Sequence, residues 1–69
     1  MQRHHLRSSV LASAGYDEDA HTLEIEFTSG SVYRYFEVPP DVYDGLKAAE
    51  SHGEYFSHHI RDEYPYERE

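Results

Sequence analysis

From Thr22 to Thr28 apolar and polar residues alternate, with Leu23, Ile25 and Phe27 on one face and Glu24 and Glu26 on the other. A period of two marks a strand that is buried on one side and wet on the other. Ahead of it, Val10, Ala12, Ala14 and Tyr16 alternate against Ser9, Leu11 and Ser13. This predicts a first strand over 9–16, weakened by its alanines. Asp17-Glu18-Asp19-Ala20-His21 reads as a polar turn between the two. A third strand, rich in aromatic residues, is expected over 32–38.

The loop around Ser29-Gly30 decides which residues of that third strand share the face of Ile25. A two-residue turn pairs Phe27 with Val32 and buries Val32, Arg34 and Phe36. A three-residue Thr28-Ser29-Gly30 loop, with glycine at the bulge position, pairs Phe27 with Ser31 and sets Tyr33 and Tyr35 beside Ile25 and Leu23. The second register is favoured because it keeps Arg34 out of the core.

Pro39-Pro40 ends the sheet, since proline cannot donate to a ladder, and Pro40 with Asp41 suits the first turn of a helix. Val42, Leu46 and Ala49 then fall on one helical stripe flanked by Tyr43, which predicts a helix over 40–51. Ser51 and Glu54 match a capping box, so a second short helix is expected over 53–61, with Phe56 and Ile60 inward. Gly53 as the stop of the first helix is the competing reading. Together these elements predict an α+β fold: a three-stranded antiparallel meander covered on one face by a helix and a second short helix. The expected core is Leu23, Ile25, Phe27, Val38, Val42, Leu46, Phe56 and Ile60, with Tyr33 and Tyr35 at its margin. Residues 1–7 read as a loose tail, 8–66 as a single domain and 67–69 as a C-terminal tail.

Composition narrows the function. A chain of 69 residues makes a thin core, burying roughly 60% of its unfolded surface. With no cysteine there is neither a disulfide nor a thiolate metal site. Fourteen acidic against six basic residues give a net charge of −8, which favours solubility and opposes phosphate backbones. No apolar run approaches a membrane span, and the polar start is not a signal peptide. The cytoplasm is the expected location, with no membrane partner.

The ordered set Gly15-Tyr16-Asp17, Leu23-x-Ile25-x-Phe27, Gly30, Tyr33-x-Tyr35, Val38-Pro39, Tyr43, Ser51-x-Gly53, Phe56 and Ile60-Arg61 resembles the KTSC domain family. That family occurs at the C-terminus of some lysyl-tRNA synthetases and as stand-alone small bacterial proteins. The resemblance runs from about Ser8 to Tyr66. It implies a small domain with no established activity, for which RNA binding is suggested through the fusion partner.

Two clusters are candidates for binding. Tyr33, Arg34 and Tyr35 can form a stacking platform with a phosphate partner, or the tyrosines can pack the helix against the sheet while Arg34 pairs with Glu24 or Glu26 outside. Arg61, Tyr64 and Tyr66 can contact a peptide or nucleic acid, or can cover exposed core. In both clusters packing is the favoured reading. The six histidines lack H-E-x-x-H or finger spacing, so neither a metal nor another cofactor is expected. No nucleophile elbow or phosphate loop argues for an enzyme. The expectation is a non-catalytic module that recognises a protein partner or RNA through an aromatic and arginine surface. A monomer is expected, with a weak homodimer through an outer strand edge as a variant.

Overall fold

The computed structural model describes residues 2–69. Its elements are β1 (Arg3–His5), β2 (Leu11–Asp17), β3 (Thr22–Phe27), β4 (Val32–Tyr35), α1 (Pro40–Ala48), α2 (His52–His59) and β5 (Tyr66–Arg68). The fold is α+β with two helices, as the periodicity implies. The antiparallel sheet has five strands in the order β1-β2-β3-β4-β5, which corrects the expected three.

The two extra strands come from segments read as tails or surface chain. Arg3–His5 pairs with Ser13–Gly15 of β2, and Tyr66–Arg68 pairs with Tyr33–Tyr35 of β4. Both are short and exposed along their length, so neither carries an alternating apolar face. Their backbone groups are satisfied by a neighbour far along the chain, and local residue pattern does not encode that pairing.

The β3–β4 hairpin takes the three-residue loop. Ile25 faces Tyr33 and Leu23 faces Tyr35, while the Phe27 N–H bonds the Ser31 carbonyl at 2.9 Å. Gly30 sits at φ 97°, in the left-handed region that glycine enters freely. β4 ends at Tyr35, short of the expected 38. Beyond it the Phe36 N–H turns to the Pro65 carbonyl, the Val38 N–H turns to His21, and Glu37 adopts φ 59°.

β2 is where simple alternation fails. Leu11 pairs with Phe27 and Ser13 with Glu26, so Ala12 is an extra residue that shifts the register. A bulge of this kind reverses side-chain parity on either side of it. Leu11 therefore joins Ala14 and Tyr16 in the core, and Val10 is left 51% exposed.

α1 opens with Pro40 at its first turn and ends at Ala48, three residues before the expected 51. The ring of His52 donates from Nδ1 to the Leu46 carbonyl at 2.7 Å, satisfying a group that the end of a helix leaves open. Ser51 then begins α2, its hydroxyl accepting from the Glu54 N–H at 3.2 Å. The serine half of the expected capping box is formed, and Gly53 lies inside α2 rather than stopping α1. α2 runs one residue earlier at its start and two shorter at its end than the expected 53–61.

Both helices close over one face of the sheet. Leu23, Ile25, Val38, Leu46, Phe56 and Ile60 are buried as expected, whereas Phe27 and Val42 are only partly covered. Leu11, Ala14, Tyr16, Tyr35 and Tyr43 complete the core, so that of the two tyrosines expected at its margin only Tyr33 stays there. The Tyr16 and Tyr43 rings stack at 5.3 Å, and the Tyr16 hydroxyl donates to the Val38 carbonyl. This ties β2 to the entrance of α1 and satisfies a phenol that burial would otherwise leave dry.

Candidate binding groove

Pairing across β3, β4 and β5 sorts the aromatic residues by face. Tyr33 and Tyr35 lie two apart on β4, and Tyr66 lies opposite Tyr35 on β5. Directly paired residues project to the same side of a sheet, so the three phenols stand together. Tyr66 lies 5.6 Å from both Tyr33 and Tyr35, and Tyr33 lies 6.5 Å from Tyr35. Edge contacts with Phe27 and Phe56 back this cluster, at 5.5 Å from Phe27 to Tyr33 and 5.7 Å from Phe56 to Tyr35. Such geometry is favourable beyond the area it buries.

Between this aromatic face and α2 lies an open groove of about 840 Å³. Its floor is aromatic, and its rim carries Glu54, His58, Arg61 and Asp62. Tyr35 is 3% exposed. Its pKa is pushed up to about 12, first by burial and then by the neighbouring Tyr66 and Tyr33, against the opposing pull of Arg61. The phenol therefore stays protonated at neutral pH and keeps its O–H available to donate.

The two expected clusters are redistributed. Tyr33, Tyr35, Tyr66 and Arg61 meet in the groove. Arg34 leaves them, because its position between two inward tyrosines turns it to the opposite face. There it pairs with Glu24 at 3.3 Å, with Glu67 at 3.9 Å and with Glu69. Register places Arg3, Gly15, Glu24, Arg34 and Glu67 in one row across the whole sheet. Gly15 offers no side chain, and Arg3 reaches over it to Glu24. Tyr64 also leaves the cluster. It is half-buried against the edge of the core and shares a shallow hollow with His58, His59 and Glu63.

Sequence reasoning considers His58 only as a metal ligand and does not single out Arg68. Cross-strand pairing sets Arg68 beside Tyr33 on the groove side, and its Nη2 donates to the Ser31 hydroxyl at 3.2 Å. The alternation of Tyr66 and Arg68 around Glu67, just after Pro65, was the available signal for an edge strand. Among the described residues, no group of three or more histidine or acidic side chains is placed to hold a metal ion.

A small antiparallel sheet roofed on one side by two short helices, with an aromatic groove at the roof's edge, is the architecture of a compact α+β domain. The KTSC domain model matches residues 7–64, and the chain belongs to the KTSC domain family. An uncharacterized protein of Stutzerimonas stutzeri is 49% identical over 57 residues, which cover 83% of this chain and 80% of that one. A lysine–tRNA ligase of Nostoc punctiforme is 43% identical over 60 residues, 87% of this chain but 11% of the ligase. A crystal structure of a KTSC domain protein from Yersinia pestis superposes with a TM-score of 0.93 at 33% identity, covering 99% of this chain and 96% of that one. Within the described residues no helix is long and apolar enough to cross a membrane.

Proposed function

We propose that this chain is a non-catalytic binding module that engages a protein partner through the groove formed by Tyr33, Tyr35, Tyr66 and Phe56. The observation that carries the reading is the convergence of three strands' worth of aromatic side chains on an open groove beside α2. Tyrosines suit such a surface because each offers large apolar area, a polar tip and few rotatable bonds. Tyr66, 57% exposed, is available to an incoming chain. We read the protein as acting in the cytoplasm and as a monomer.

Fusion to lysine–tRNA ligase in relatives makes RNA the competing partner. That reading needs Arg34, Lys47 and Arg61 to converge. Instead Arg34 lies on the far face in a carboxylate network, and Lys47 pairs with Asp44 and covers the Tyr43 ring. A polyanion would meet Arg34 and Lys47 already engaged by carboxylates, on a chain of net charge −8.

Affinity capture from native lysate, with and without nuclease, tests the proposal. Protein capture is expected to survive nuclease and to fall for Tyr66→Ser, an exposed position where the fold tolerates change. Loss of the captured material on nuclease treatment would transfer the function to RNA.

A further inference from the structure

The six lysines and arginines divide by their partners. Arg3 pairs with Glu24 and Glu26, Arg34 with Glu24, Glu67 and Glu69, and Lys47 with Asp44. Among the described residues Arg7, Arg61 and Arg68 have no carboxylate within 4.0 Å. Arg7 lies in the segment between β1 and β2. Arg61 lines the groove, and Arg68 stands at its margin, paired across the strands with Tyr33 and bonded to the lining residue Ser31. A chain with 14 acidic residues has thus left two of its cations uncompensated on one aromatic face.

A second observation concerns Tyr35. Its hydroxyl makes no hydrogen bond to any described residue. No sealed side-chain polar atom among them lacks a partner, so this hydroxyl must open to the groove. A nearly buried phenol with a free donor, in a groove whose lining also holds a guanidinium in no ion pair, offers an oxyanion two donors. We propose that the groove receives the acidic side chains of an extended partner segment in which carboxylates flank an apolar or aromatic residue. The proposal rests on the protein-binding reading above and names the chemistry of the partner.

Extended geometry follows from the spacing of the receptors. Tyr33 and Tyr35 are two strand positions apart, roughly 7 Å at 3.2–3.4 Å per residue; Arg68 pairs across from Tyr33, and Arg61 lines the groove with Tyr35. An extended segment presents alternate side chains at the same interval. Carboxylate is favoured over phosphate because Glu54 and Asp62 share the rim and would repel a dianion more strongly. The overall charge of the chain is felt weakly, because at physiological salt it is screened beyond about 8 Å.

Fluorescence anisotropy with the full chain tests this. The probes are a labelled peptide alternating glutamate with leucine and phenylalanine, its glutamine counterpart, a phosphoserine counterpart and a mixed-sequence RNA oligomer. The glutamate peptide is expected to bind, and the glutamine version about tenfold more weakly. Arg61→Gln and Arg68→Gln should each weaken the glutamate peptide by several-fold to about tenfold. Tyr35→Phe should weaken it severalfold, and Lys47→Gln, the same charge change away from the groove, should leave it unchanged. Equal affinity for the glutamate and glutamine peptides would overturn the inference while leaving an apolar protein groove intact. So would tighter binding of the phosphoserine peptide or the RNA. Absence of all peptide binding also overturns it, and nuclease-resistant capture from lysate then reports separately whether the protein-binding reading survives.

Discussion

Gly45 of α1 lies directly beneath the phenol of Tyr55 in α2. A Cβ built at Gly45 would run into the Tyr55 hydroxyl and come within 2.7 Å of Cζ. The glycine therefore sets how closely the two helices approach, and the Tyr55 ring fills the space, packed on its other side against His59 at 4.5 Å. The helix gives up about 1 kcal/mol of propensity for this contact. Gly45→Ala is expected to destabilise the fold by about 1 kcal/mol, because overpacking outweighs the propensity gain. In a Tyr55→Ala background the same change should stabilise by up to ~1 kcal/mol. Urea denaturation of the four proteins gives the coupling directly.

The bulge at Ala12 makes a prediction that plain alternation reverses. Leu11 is fully buried and Val10 is 51% exposed. Leu11→Ala should cost about 2–4 kcal/mol through lost transfer energy and the remaining cavity. Val10→Ala should stay within about 0.5 kcal/mol. Equal losses at the two positions in thermal or urea unfolding would mean that β2 lacks the bulge.

Glu24 is 8% exposed and is held from both sides by Arg3 and Arg34. Both arginines reach solvent, so removal of either one alone, as Arg3→Ala or Arg34→Ala, should cost only about 1 kcal/mol. Removing both strands a covered carboxylate, and the double variant should lose more than the sum of the singles, about 3 kcal/mol or above. A double-mutant cycle by urea denaturation checks this. Simple additivity would show that the two arginines hold Glu24 independently.

Tyr35 predicts an alkaline limb of stability. Its pKa rises from the ordinary 10.0 to about 12 in the fold, so between these values the unfolded chain releases a proton that the folded chain keeps. Linkage then makes stability full below pH 10.0 and lost as pH climbs toward about 12. Burial also raises the phenols of Tyr16, Tyr43 and Tyr55. Tyr35→Phe should flatten the limb without removing it. Denaturant midpoints across this range, alongside phenolate absorbance, provide the measurement.

Much of the groove is legible in the sequence. The pairing of Ile25 with Tyr33 follows from keeping Arg34 dry-side out, and that one register puts Tyr33 and Tyr35 on the helix face. Strand parity also sends Arg34 to the outer face, where it pairs with Glu24 as the packing reading of the sequence expects. Arg68 was missed because its place depends on β5, a three-residue strand without an apolar face.

Local chemistry alone specified the alternating strand 22–27, the glycine turn, the proline-led helix, the serine cap and most of the core. Each of these is written within a few residues, where steric limits, hydrogen-bond geometry and side-chain period act directly. Tertiary structure decided the edge strands, the bulge at Ala12, the charged row over the outer face and the meeting of Tyr66, Arg61 and Arg68 with the β4 tyrosines. Those features join residues well separated along the chain, and a polar segment becomes a strand only when a distant neighbour offers it hydrogen-bond partners.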